Sequence, residues 1–179
     1  MAFQLPPNKA LQWLLVLLTA TMLSACGFQL RGAAKLPFKT VYFASIDKNT
    51  PLGVELLRNI RLSGAEVVGT LADADATLQM LTNVQDRKIE ALDTSGNVRD
   101  YALYQHFSFV LKDKKGVPIV GPITIVLKRD ITYNPNQELA KQTEEGLLYL
   151  EMQRDLVQQI MRRMSAAKPQ TGDGTTTQP

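Results

Sequence analysis

Three segments between residues 76 and 133 alternate apolar with polar side chains, and this pattern constrains the fold more than any other feature of the chain. Leu78, Met80 and Val84 mark one face of the stretch from Ala76 to Leu92. Tyr101, Leu103, Phe107, Phe109 and Leu111 do the same in a second stretch, and Ile123, Ile125, Leu127, Ile131 and Tyr133 in a third. A period of two places every second side chain on one side of an extended backbone, so each stretch reads as a half-buried strand. Asp93-Thr94-Ser95-Gly96-Asn97 and Asp113-Lys114-Lys115-Gly116 supply turn chemistry between them. The three strands therefore form a meander.

A different period flanks the meander. Thr40 to Ala44 is β-branched and aromatic and predicts a first strand. Thr50-Pro51 then pairs an N-cap with a proline at the first helical position, and Leu52, Leu56 and Ile60 recur at four-residue steps until Gly64. Glu66 to Val68 is a possible short strand. After Asn134-Pro135 a second helix runs from about Gln137 to Met164, with Leu148, Met152, Leu156, Ile160 and Met164 on one stripe. Gly146 weakens it by about 1 kcal/mol relative to Ala. Burying both stripes predicts an α+β two-layer sandwich over residues 40–164, its two helices packed on one face of a mostly antiparallel four-stranded sheet. The opposite sheet face should then carry Gln79, Gln85, Tyr104, His106 and Ser108, a polar surface for a partner or solvent.

The N-terminal residues read as a signal peptide over 1–25. Lys9 supplies the positive charge, Leu11 to Met22 the apolar region, and Ser24-Ala25 the small-residue cleavage site. The apolar run is shorter than the roughly 20 residues that cross a bilayer. Leu23-Ser24-Ala25-Cys26 resembles the bacterial lipobox, in which the thiol is diacylglycerylated, the chain is cut before the cysteine and the new amine is acylated. Cys26 is the only cysteine of the 179 residues, so no disulfide can form within the chain. The other reading is an ordinary secreted protein with an incidental cysteine, but a free thiol at a cleavage site in an oxidising compartment is a liability. With each buried methylene contributing about 0.8 kcal/mol, three acyl chains make attachment permanent. Gly27 stands where inner-membrane retention usually has Asp, which the resemblance translates into the outer membrane, periplasmic side. Residues 26–39 then form a lipidated tether. Ser165 to Pro179, rich in Thr, Gly, Gln and Pro, should be a disordered tail, since nothing in it offsets the entropy of ordering.

Catalytic signals are weak. His106 is the sole histidine, so no second one completes a metal cluster or joins a nucleophile. Asp73, Asp75, Glu90, Asp93 and Asp100 lie in or near turns without acid–base spacing, and Gly116 and Gly121 precede no helix that would make a phosphate loop. No enzyme activity, cofactor or metal is expected. The net charge of +3 is too mild for nucleic acid. What remains is a placed charge cluster: hairpins turning near Ser95 and Lys115 bring Arg87, Lys88, Arg99, Lys128 and Arg129 to one end of the sheet. Lys141 lies in the early turns of the last helix, whose N-terminus favours phosphate or carboxylate. The competing reading is a set of ordinary surface bases interleaved with Glu90, Asp100 and Asp130.

Three motifs in order, Cys26-Gly27-Phe28-Gln29-Leu30-Arg31-Gly32, then Leu57-Arg58-Asn59 with Leu62, then Asn134-Pro135 with Leu139-Ala140-Lys141, resemble the LptE family of lipopolysaccharide-assembly lipoproteins from Cys26 to about Met164. The resemblance implies two helices against a four-stranded sheet and a lipid-anchored outer-membrane protein facing the periplasm. It also implies a 1:1 heterodimer with the LptD β-barrel, which the domain plugs and helps assemble while binding lipopolysaccharide on its way to the outer leaflet. Lys141 matches a basic position that the family uses for lipopolysaccharide contact. The family's second such position, in the first hairpin turn, falls near the uncharged Thr94, with Arg99 a few residues on. A wide barrel has a polar lumen, so a plug needs a polar exterior. Two other functions compete with it. One is a free periplasm-facing lipoprotein that carries or senses a small apolar ligand between sheet and helices. The other is a lipid-anchored hydrolase, which needs a nucleophile–base pair.

Overall fold

A computed structural model describes residues 35–168. Cys26, the expected signal peptide and residues 169–179 lie outside the described residues. Within them the chain runs β1 (Thr40–Ala44), α1 (Pro51–Leu62), β2 (Glu66–Val68), β3 (Ala76–Leu92), β4 (Val98–Asp113), β5 (Pro118–Thr132), a single 3-10 turn (Pro135–Gln137) and α2 (Glu138–Ser165).

Local chemistry sets these boundaries. Thr50 caps α1, its Oγ1 accepting from the Gly53 N–H at 3.1 Å, and Pro51 occupies the first turn, where a missing N–H costs nothing. The two hairpin turns share one device. Asp93 Oδ1 accepts from the N–H groups of Ser95 and Asn97 at 2.8 and 2.9 Å, and Asp113 Oδ1 accepts from those of Lys115 and Val117, each at 2.8 Å. Gly96 and Gly116 close the turns at φ of 83° and 81°, where an L side chain would be strained.

The sheet corrects the expected strand count and direction. It has five strands in the order β2-β1-β3-β4-β5, and it is mixed: β1 runs parallel to both β2 and β3, while β3, β4 and β5 form the antiparallel meander. The parallel pairs follow from the connections. Helix α1 carries the chain back to the end from which β1 started, so Glu66–Val68 pairs alongside it in the same direction. Both helices lie on one face of the sheet. Leu56 and Ile60 of α1 and Met152, Leu156, Ile160 and Met164 of α2 are fully buried with Leu78, Leu103, Phe107, Phe109 and Leu111.

A bulge changes the phase of β3. The register jumps between Met80 and Thr82, leaving Leu81 unpaired. Beyond it the odd-numbered positions turn toward the helices: Asn83 pairs with the buried Phe107 and Gln85 with the buried Gln105, whereas Val84 pairs with His106 on the open face. Gln85 therefore leaves the predicted polar surface and Val84 joins it, because one extra residue inverts the side chains that follow, up to the next register shift after Ile89. Gln79, Tyr104, His106 and Ser108 keep their expected side.

Both predicted termini of the domain also move. Leu36 packs on the core, Phe38 is buried, and the N–H groups of Lys39 and Thr40 both donate to Asp75 Oδ2 at 3.1 Å, so the last residues assigned to the tether are already folded. Helix α2 includes Ser165, and Ala167 beyond it is buried, so the first residues assigned to the tail belong to the domain.

Candidate functional site

The register brings four of the predicted basic residues to one end of the sheet. Arg87 and Arg129 flank Leu103 in a single row across β3, β4 and β5, Lys88 pairs with Ala102, and Lys128 pairs with Tyr104. They do not form one patch, because strand alternation divides them between faces. Arg87 and Arg129 point toward the helices, where Arg87 donates to Glu145 at 3.0 Å and Arg129 pairs with Asp155, both on α2. Lys88 and Lys128 lie on the open face: Lys88 stands 3.6 Å from Asp86 and over the Tyr104 ring at 5.3 Å, and Lys128 contacts Glu90 at 2.7 Å and Asp130 at 3.2 Å. The bond to Glu90, followed by that to Asp130, pushes the Lys128 ammonium up to about 12. Arg99 at the base of the first hairpin pairs with Asp100 at 2.8 Å.

Lys141 sits differently. Its side chain is 20% exposed and donates to Glu144 at 2.8 Å. It helps line a crevice of about 20 Å³ with Arg87, Tyr101, Tyr133, Glu138 and Glu145, where the end of β5 meets the first turns of α2. The Arg87 guanidinium lies 4.6 Å from the centre of the Tyr101 ring, and Tyr101 meets Tyr133 edge-on at 5.4 Å. Tyr133 donates its hydroxyl to Glu138 at 2.8 Å, a bond that holds its proton and raises its pKa, with burial adding to the shift. Glu138 thus brings a negative charge to the first turn of α2. Such a space holds about one water, so the crevice is closed around its own ion pairs.

The tyrosine walls of this crevice are the part that sequence reasoning missed. Tyr101 and Tyr133 end alternating runs and read there as ordinary face residues; only the register shows them together beneath Lys141. Tyr149, whose hydroxyl reaches the Asp86 carbonyl at 3.1 Å, stands off the four-residue stripe used to place α2. The exposed ion pairs here contribute little to stability, about 0–1 kcal/mol each. Any phosphate or carboxylate entering here would have to compete with Glu144 and Glu145 for Lys141 and Arg87. The residues lining the crevice include no His, Cys or Ser, and among the described residues no helix is long and apolar enough to cross a membrane.

Fold and crevice together define an α+β sandwich whose basic side chains Arg87, Arg129 and Lys141 at this end are paired with carboxylates of α2. The LptE family, described as lipopolysaccharide-assembly, matches residues 38–164, and the chain belongs to it. It is 28% identical over 158 residues to the LPS-assembly lipoprotein LptE of Pectobacterium atrosepticum, covering 84% of this chain and 83% of that one. Among solved structures it is similar to the uncharacterized lipoprotein B of Nitrosomonas europaea, with a TM-score of 0.68 and 34% identity over 78% of this chain and 91% of the other. It also resembles the rare lipoprotein B of Shewanella oneidensis, with a TM-score of 0.63 and 25% identity over 72% and 95% of the two chains. Membership assigns the protein to lipopolysaccharide assembly in the cell envelope, in a family of lipoproteins rather than of enzymes.

Proposed function

We propose that the protein is an outer-membrane lipoprotein, anchored through acyl chains on Cys26, that occupies the lumen of the LptD β-barrel as a 1:1 partner, assists its assembly and binds lipopolysaccharide in transit. The observation that carries this reading is the distance between two ends of the domain. The chain joins the fold where Lys39 and Thr40 bond to Asp75, and Arg87 lies eleven positions beyond Ala76 along β3. At strand rise that is roughly 35 Å, enough to span a hydrocarbon core of about 30 Å. A domain tethered on the periplasmic side and seated in a barrel would present the Arg87–Lys141 crevice toward the opposite leaflet. Its hydrophilic sheet face suits a polar lumen.

For a small apolar ligand the centre of the layer between sheet and helices is filled by Leu56, Phe107, Phe109, Met152 and Met164, and the opening of about 260 Å³ beside Ile46, Leu52 and Met80 is a surface groove rather than an enclosed cavity. For lipopolysaccharide, Lys141 is the residue to test, with Arg87 beside it and Arg99, Lys128, Arg129 and Lys88 as outer contacts. Lys141→Asp reverses the charge at the crevice and should weaken binding of purified lipopolysaccharide by about tenfold or more, while Lys141→Arg keeps it. Unchanged affinity in a folded Lys141→Asp variant would reduce these bases to solvated surface pairs.

A further inference from the structure

β1 pairs with β3 only from Val41↔Ala76 to Ala44↔Gln79. Ser45 then adopts a φ of 62° and turns the chain out of the sheet toward α1. From there to Leu92, β3 has β4 on one side and, among the described residues, no strand on the other. An edge of this kind offers unpaired N–H and C=O groups at strand spacing, the template for another strand. The side chains along it support the same use. Leu81, Val84, Ile89 and Leu92 are all about half exposed, between 48% and 59%. The other long edge, β5, carries Pro118 and Pro122, which obstruct strand addition, whereas β3 contains no proline. The charges of β3 have partners of their own, Arg87 with Glu145 and Lys88 with Asp86. On the helix side, Gln85 donates to Gln105, and an open groove of about 260 Å³ between Ile46, Leu52, Met80, Asn83 and Gln153 extends from the point where β1 leaves the sheet. It has room for a side chain of an added strand.

We infer that the β3 edge from Leu81 to Leu92 is a strand-addition site, filled by an extended segment of the partner polypeptide; this rests on the two-protein complex proposed above. Backbone recognises backbone at such an edge, so the occupant is a peptide rather than a sugar or an acyl chain. The added strand would continue the hydrogen-bonded line that β1 begins. The protein's own preceding segment joins the fold beside Asp75, at the other end of β3. Antiparallel pairing of two copies about Asp86 or about Lys88 would set like charges opposite each other, Asp86 against Asp86 in the first register and Lys88 against Lys88 in the second.

Amide hydrogen exchange on the free protein and on its detergent-purified complex with the barrel tests the site. Alternate amides between Thr82 and Ile89 should exchange at least about tenfold more slowly in the complex. An intact complex with unchanged exchange there overturns the strand-addition site and leaves the plug reading standing; failure to isolate any complex overturns both. A dimeric free protein already protected on this edge assigns it to a second copy and overturns the inference. Val84→Pro and Gln85→Pro supply an independent check, because neighbouring N–H groups point to opposite sides of the strand. One substitution breaks the ladder to β4, and the other removes an edge donor. The folded variant of the two should lose partner binding by about tenfold or more, and full retention would contradict the assignment.

Discussion

Gly53→Ala should destabilise the domain by about 3 kcal/mol or more, an effect of the size of a core truncation. A Cβ at this position would lie 2.0 Å from the Asp47 carbonyl oxygen and 2.9 Å from the Lys48 Cα, both backbone atoms that no rotamer change can move aside. The loop is pinned where it stands. The Asp47 carbonyl accepts from the Thr50 hydroxyl at 2.8 Å and from its N–H at 3.3 Å, while the Asp47 carboxylate accepts from the Asn49 N–H at 2.9 Å. Relieving the clash means either opening this turn and its N-cap or lifting α1, which would draw the buried Leu52 and Leu56 from the core. Helix propensity alone predicts the opposite sign, since Ala in place of an interior Gly stabilises a helix by about 1 kcal/mol. Urea denaturation of the two proteins decides between them, and a variant as stable as the parent would show that the loop yields freely.

Cys26→Ala should abolish acyl anchoring in the outer membrane. Without the thiol there is no site for the diacylglyceryl group, and each methylene lost from the bilayer removes about 0.8 kcal/mol of attachment, so the shortfall over three chains is far beyond what a polar domain could replace. The variant is expected to accumulate as an unprocessed precursor or to be mislocalised, read by membrane fractionation and by the mass of the N-terminal peptide. Normal processing and sorting of the variant would refute lipidation.

Local signals carried most of the architecture. Thr50-Pro51, the two Asp-x-x-Gly turns and the buried stripe from Met152 to Met164 each act within a few residues, so their spacing already specifies caps, turns and the packed face of α2. The misplaced features depend on partners distant in sequence. The bulge at Leu81 shows no break in composition, yet it moves Gln85 from one face to the other; it exists only in the register with β4. Glu66–Val68, read from the sequence as a possible short strand, does form one, but its pairing with β1 and its direction come from the edge that β1 offers it. The constraint on Gly53 arises from a loop folded back over the helix, which periodicity cannot show. For the candidate site, the meander places the bases at one end of the sheet. Their division between two faces, and the carboxylates from α2 that neutralise Arg87 and Arg129, come from tertiary packing.

The most direct measurement is isolation of the untagged protein from outer membranes in mild detergent, with the composition of whatever travels with it determined by native mass spectrometry. One copy of this chain with one LptD barrel, persisting through size-exclusion chromatography, is the expected result. A lone lipoprotein, recovered from membranes in which the barrel is present and intact, would contradict the proposed role.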